Sequence, residues 1–120
     1  MYKFNFEKLE VWNNARKLAK KIYLKTEKFP ESEKFGISTQ LRRAIVSVCS
    51  NLAEGSSRFS SKDQMHFYSI SYSSLMETIN QLILSQDLGY LSSKDLLDFR
   101  KEVNSIGYMI NGLKEAVKVK

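Results

Sequence analysis

The sequence is poor in most of the residues that commit a chain to a particular chemistry. Its 120 residues hold one cysteine (Cys49), one histidine (His66), one proline (Pro30) and one tryptophan (Trp12). A lone cysteine closes no intramolecular disulfide, so a reducing cytoplasm is the expected setting. One His and one Cys supply neither a structural zinc site nor a Cys–His nucleophile pair. The acids are not arranged as the Glu-x-x-His pairs of a di-metal bundle, and there is no phosphate-binding or dinucleotide glycine motif. No metal and no cofactor is therefore expected. No apolar run approaches the ~20 residues of a membrane span, and the opening Met1-Tyr2-Lys3-Phe4-Asn5-Phe6-Glu7 lacks the apolar stretch of a signal peptide. Five glycines and one proline are too few turn formers for a β protein of this length. At 42% hydrophobic and 27% charged residues the composition is that of a globular chain rather than a disordered one. The length predicts one domain, 1–120.

What the sequence does contain is helical periodicity. Leu96, Phe99, Val103, Ile106, Ile110, Leu113 and Val117 follow at alternating steps of three and four, the stripe of one helix facing a bundle seam. Tyr68, Tyr72, Leu75, Ile79 and Leu82 form a second such stripe; Leu41, Ile45, Val48 and Leu52 a third; Val11, Ala15, Leu18 and Ile22 a fourth. The breaks fall at Phe29–Ser32, Gly55–Ser61 and Gly89–Ser93. Short connections make sequential helices antiparallel. The predicted fold is all-α: an antiparallel up-down-up-down four-helix bundle with helices at about 7–28, 36–55, 61–88 and 93–118. Ser61 with Gln64 reads as a capping box for the third helix, Ser92 with Asp95 caps the fourth, and Gly89 ends the third. The third helix also carries Phe67, Ile70, Met76, Ile83, Leu84 and Leu88, more apolar surface than one bundle core covers. A second copy of the chain is the economical cover, so a homo-oligomer is expected. Cys49 lies in the apolar part of the second helix and reads as a small core residue.

The net charge of +6 is unevenly distributed. Residues 1–30 carry eight Lys/Arg and three acids, whereas residues 60–90 are net −2. Arg16, Lys17, Lys20 and Lys21 cluster on the first helix away from its seam; Arg42, Arg43 and Arg58 add cations on and after the second. Clustered cations release counterions from a phosphate backbone, which makes these seven the candidates for contact with RNA or DNA. The competing reading is a solvated helix face. A membrane-surface helix with Trp12 and Tyr23 at the interface is disfavoured, because the bundle needs the apolar side of that helix.

On the second helix Gln40, Arg43, Ser47, Asn51 and Glu54 share a row beside the apolar seam. Such a row is either a polar network fixing register within the bundle or between subunits, with Arg43 and Glu54 pairing to other helices, or the lining of a cleft that meets a ligand. Asp63, His66 and Ser69 stand at i, i+3 and i+6, but each step of three turns by about −60°, so the outer two splay to opposite sides of His66. No catalytic residue is expected, and the chain reads as non-enzymatic.

The stretch Glu33-Lys34-Phe35-Gly36-Ile37-Ser38-Thr39-Gln40-Leu41-Arg42-Arg43-Ala44, continuing through Ser47 and Asn51-Leu52-Ala53-Glu54-Gly55-Ser56-Ser57-Arg58, closely resembles the four-helix bundle proteins of the 23S ribosomal RNA intervening-sequence family. So do Phe6-Glu7-Lys8-Leu9-Glu10-Val11-Trp12, Leu75-Met76-Glu77-Thr78 with Gln81-Leu82, Leu88-Gly89-Tyr90-Leu91, and Asn111-Gly112-Leu113. The resemblance covers essentially the whole chain. It implies an antiparallel bundle assembling into a homopentameric ring, no enzymatic activity, and an origin in inserts within bacterial 23S ribosomal RNA genes or elsewhere in genomes. It also implies kinship with accessory proteins of diversity-generating retroelements, basic pentamers that associate with nucleic acid and a reverse transcriptase. The chain departs from the family where Cys49 replaces a common proline and Ser73 a common glycine. Two functions follow as expectations: a ring contacting RNA or DNA through a basic surface, or an oligomeric module that docks a protein partner such as a reverse transcriptase.

Overall fold

The computed structural model describes residues 1–118; the last two residues of the expected domain lie outside the described residues. Four helices follow one another: α1 (Glu10–Thr26), α2 (Ile37–Ser56), α3 (Ser61–Asp87) and α4 (Ser93–Lys118), with short 3-10 turns at Asn5–Lys8 and Glu31–Glu33. Cross-helix pairs fix their senses. Gln40 meets Gln81, Ser47 meets Ser74 and Gly55 abuts Tyr68, so α2 and α3 run oppositely. Gln86 meets Ser93 while Leu75 reaches Gly107, and Lys25 meets Asp95 while Asn14 reaches Met109, which makes α3/α4 and α1/α4 antiparallel as well. Among the described residues the backbones of α1 and α3, and of α2 and α4, stay apart while chain-adjacent helices and α1/α4 approach, so the helices stand in a square in chain order. The bundle is 46 Å long, a little more than the ~40 Å that the 27 residues of α3 span at 1.5 Å each.

The four predicted stripes converge on one continuous core. Ala15, Leu18, Ile22, Leu41, Ile45, Val48, Leu52, Leu75, Leu82, Ile106 and Ile110 are at most 1% exposed. Each fully buried Leu or Ile contributes roughly 1.5–3 kcal/mol, against about 0–1 kcal/mol for an exposed ion pair. The bundle is thus held by its apolar seams and not by its four surface ion pairs among the described residues. The most intimate interface is α2 against α3, where the buried side chains of α3 include Ser71, Ser74, Thr78 and Ser85. Small side chains let helix axes approach closely. Their hydroxyls are satisfied: Ser71 Oγ donates across the interface to Val48 O (2.9 Å), while Thr78 Oγ1 donates to Ser74 O (2.9 Å) and Ser85 Oγ to Gln81 O (2.7 Å) within α3. By contrast α1 and α4 leave an open groove between them.

The helix ends differ from expectation in instructive ways. α1 begins at Glu10 rather than residue 7 because Leu9 is extended and the preceding Asn5–Lys8 turn is closed by Glu7 Oε1 accepting from the Phe4 N–H (3.0 Å). It ends at Thr26 rather than 28, since the chain turns so that Phe29 is buried against the Tyr90 ring, 5.3 Å between centroids. The cap of α3 is Ser60, not Ser61: Ser60 Oγ accepts from the Asp63 N–H (3.1 Å), and Gln64 donates instead to Arg58 O (3.0 Å). Ser92 does cap α4, accepting from the Asp95 N–H at 3.0 Å. Gly89 takes φ +84°, and the Tyr90 N–H to Ser85 O (2.8 Å) and Gly89 N–H to Gln86 O (3.0 Å) bonds complete a Schellman ending.

Candidate nucleic-acid interface

The cations of α1 lie off its buried Val11–Ala15–Leu18–Ile22 stripe, Lys21 and Lys25 flanking it on the α4 side. Arg16 lies over the Trp12 ring, 4.9 Å from its centroid. Lys17, Lys20 and Lys21 line the groove between α1 and α4 together with Asn14, Leu24, Lys101, Glu102, Ser105 and Ile106, a volume of 570 Å³. Towards the other end of the groove the charge is balanced: Lys21 pairs with Glu102, and Lys25 donates to Asp95 Oδ2 at 2.8 Å. The Lys25 ammonium holds the Asp95 carboxyl below the usual carboxylate range. Lys17, Lys20 and Lys101 have no ion-pair partner among the described residues. With Arg16, the chain neighbour of Lys17 outside the groove lining, they form an uncompensated basic edge to the groove, Lys17 and Lys20 on its α1 wall and Lys101 on its α4 wall.

The remaining candidates are placed elsewhere. Arg42 works inside the fold: its Nε donates to Thr26 Oγ1 (2.8 Å), a terminal nitrogen donates to Tyr23 O (3.2 Å), and the guanidinium lies 4.6 Å from the Tyr23 ring centroid. A cation at the carbonyl end of α1 is favourable for its dipole, so Arg42 ties the start of α2 to the end of α1. Arg58, just beyond the end of α2, is held by Glu54 four residues earlier (2.9 Å) and lies over Phe67 at 4.7 Å. Arg43 is exposed and makes no hydrogen bond or ion pair among the described residues. It borders the α2/α3 seam, on the side of the bundle away from the α1/α4 groove.

The polar row of α2 runs along that same seam. Ser47 Oγ and Ser74 Oγ are 2.7 Å apart, and Asn51 Nδ2 donates to Ser47 O (2.8 Å) and Ser47 Oγ (3.1 Å). Gln81 Nε2 reaches Gln40 Oε1 at 3.5 Å, while the buried Gln81 Oε1 has no partner among the described residues. The cross-helix pairing expected of Arg43 and Glu54 does not form among the described residues. Glu54 takes Arg58 because an i, i+4 partner is already within reach.

A family model of the 23S rRNA-intervening sequence protein matches residues 7–112. The chain belongs to that family. Among solved structures it is similar to a protein of unknown function from the S23 ribosomal protein family of Bacteroides thetaiotaomicron, with a TM-score of 0.80 at 19% identity over 87% of this chain and 97% of that one. At that identity the likeness establishes the shared bundle fold. No curated protein matches the sequence.

In this family member the Asp63, His66 and Ser69 side chains do not hydrogen-bond one another; His66 instead sets its ring edge-on to Phe67 at 5.2 Å. Among the described residues no group of three His, Cys, Asp or Glu side chains could hold a metal ion, and no helix is long and apolar enough to cross a membrane. Cys49 sits half-buried at the edge of the core, where burial pushes its thiol up to about 11. Two features of this surface are not visible in the helical periodicity. Lys101 joins the basic edge only through the register that sets Glu102 against Lys21, a pairing 81 residues apart. The aromatic residues Tyr2, Phe4 and Phe6 also gather beside Trp12. Their alternation with Lys3 and Asn5 was the signal that could have found them.

Proposed function

We propose that this protein is a non-enzymatic, homo-oligomeric helical bundle that contacts RNA or DNA through the α1 side of its surface. The observation that supports this reading is the set of cations without an ion-pair partner among the described residues, Lys17 and Lys20 on the α1 wall of the groove with Arg16 beside Lys17, and Lys101 on the α4 wall, while Glu102 and Asp95 are paired with Lys21 and Lys25. A net charge of +6 favours encounter with a polyanion, and a cluster on one edge gives the backbone a track to follow. Oligomerisation is supported by the exposed apolar surface of α3: Ile70, Met76, Leu84 and Leu88 are 36–56% exposed. Five copies is the number that family resemblance implies.

The test is binding of a 23S-type RNA fragment at a series of salt concentrations, with light scattering on the free protein. The expected mass is about five times 13.9 kDa. Log affinity should fall linearly with log salt, and a Lys17→Gln/Lys20→Gln/Lys101→Gln variant should lower the slope by about 2–3. Equal affinity and slope in the variant would refute the basic-edge reading. RNA-independent capture of a nucleic-acid-handling protein, unaffected by the three substitutions, would favour the protein-docking alternative.

A further inference from the structure

The segment ahead of α1 carries large aromatic rings that the bundle core does not use. Tyr2 meets Phe4 edge-on, 5.5 Å between centroids; Phe4 is parallel to Phe6 within 3° at 6.1 Å; Phe6 meets Trp12 at 4.8 Å; and Arg16 covers Trp12. The four rings and the guanidinium form a continuous ladder. Its inner rungs, Phe6 and Trp12, are half-buried, and both Trp12 and Leu9 pack on the core. Its outer rungs are presented to solvent, Tyr2 at 81% and Phe4 at 59% exposure. Polar contacts add to this packing from Phe4 to Leu9. Asn13 Nδ2 donates to Glu7 O (2.8 Å) and Leu9 O (3.0 Å), and Glu7 Oε1 accepts the Phe4 N–H. An exposed stack of rings without an apolar partner among the described residues is a surface awaiting a flat ligand.

The charge around the ladder identifies that ligand. Lys3 and Lys8 are exposed and have no ion-pair partner among the described residues, Arg16 caps the inner end, and Lys17 is its chain neighbour. Of the nearby acids, Glu7 is engaged by the backbone and Glu10 is exposed. Flat π-faces flanked by cations are the two components by which proteins hold single-stranded nucleic acid: bases stack on the rings while the phosphates run along the cations. A duplex offers no free base face to such a ladder, since its bases are already stacked on one another. We infer that Tyr2 and Phe4 form a base-stacking platform and that the strand recognised is single-stranded RNA or DNA, its backbone continuing onto the basic edge of α1. This inference rests on the nucleic-acid reading above and narrows it to unpaired strands.

Trp12 is the sole tryptophan and sits within the ladder, so its fluorescence reports occupancy directly. The full-length protein is titrated with oligouridylate and with an RNA duplex of equal length. The single strand is expected to bind more tightly and to quench Trp12. Tyr2→Ala and Phe4→Ala should each weaken single-strand binding by about tenfold while leaving the salt slope unchanged. Phe4→Trp should retain affinity, whereas Phe4→Leu, equally apolar but without a π-face, should not. Equal binding of both nucleic acids, or unchanged affinity in the Tyr2 and Phe4 variants, would overturn the stacking platform and leave the basic edge standing. Absence of any binding at low salt would overturn both. A fall in light-scattering mass in Phe4→Ala, with unchanged affinity per subunit, would show that the ladder covers a second copy of the chain and would likewise overturn the inference.

Discussion

Replacing Gly55 with alanine should destabilise this bundle, although the same replacement elsewhere in its helices should stabilise it. A Cβ at Gly55 would sit 2.6 Å from Tyr68 Cε1, 2.9 Å from Tyr68 Cδ1 and 3.2 Å from Phe67 Cβ. Carbon atoms in contact prefer about 3.5–4.0 Å, so α2 must part from α3 or the Tyr68 ring, only 4% exposed, must leave its pocket. Overpacking of this kind costs about 1–3 kcal/mol, against a helix-propensity gain below ~1 kcal/mol for Gly→Ala so near a helix end. The net loss is about 1–2 kcal/mol. With an unfolding entropy of roughly 2.1 cal/mol/K per residue, that lowers Tm by about 4–8 °C for a chain of this length. Gly112 on α4 has no atom within 4 Å of its virtual Cβ, and Gly107 meets only Leu75 Cδ2 at 3.5 Å and Tyr72 Cε2 at 3.6 Å. Gly112→Ala should therefore raise Tm by about 2–4 °C, and Gly107→Ala should fall between that value and no change. Thermal unfolding by far-UV circular dichroism ranks the three, at one protein concentration because association contributes to apparent stability. If Gly55→Ala proves as stable as Gly112→Ala, α2 and α3 do not approach as closely as described, and the role given to their small side chains is wrong.

Cys49, whose thiol is pushed up to about 11 by burial, should react with a disulfide reagent near neutral pH about tenfold more slowly than an exposed thiol, the smaller thiolate fraction being partly offset by its greater nucleophilicity, and urea should restore the ordinary rate. A native-state rate matching the unfolded one would show the site to be open. Arg42→Ala should lower Tm through loss of the Thr26 and Tyr23 contacts, worth about 1–2 kcal/mol, while leaving the salt slope of RNA binding unchanged. A reduced slope would return Arg42 to the phosphate-contacting set. Because the folded pKa of Asp95 is depressed, its stabilising effect is present above the ordinary carboxylate pKa of about 3.9 and is lost as pH falls through the lower folded value. Wild type and Asp95→Asn should then differ in Tm near neutral pH and converge in acid; a constant difference would assign the effect of Asp95 to shape rather than charge.

The helices were legible in the sequence because a seam is a local pattern. Every residue of the α1 and α2 stripes is buried, and in α4 only Leu113 is half-exposed. The ends were read less well wherever the deciding contact was not local. Ser60 and Ser61 are equivalent as neighbours, and the backbone alone selects which hydroxyl meets the Asp63 N–H. The early end of α1 depends on Phe29 finding Tyr90, 61 residues further on. Excess apolar residues on α3 were also legible as surface lacking a partner among the described residues. Ile70, Met76, Leu84 and Leu88 are exposed, whereas Phe67 and Ile83 are half-buried because they lie nearer the α2 and α4 flanks.

The candidate site divides in the same way. The concentration of cations in the first 30 residues, and their placement off the seam, belong to the sequence by itself, as does membership of a helical class. Which cations remain free was decided only by tertiary structure. Arg42 and Lys21 look as available as Lys17 along the chain, yet Thr26, Tyr23 and Glu102 engage the first two and nothing engages the third among the described residues. Lys101 enters the set from a distant segment. Periodicity is a property of one helix and is written in adjacent residues. A charge's partner sits on another helix, at a register that only the packing of the core determines.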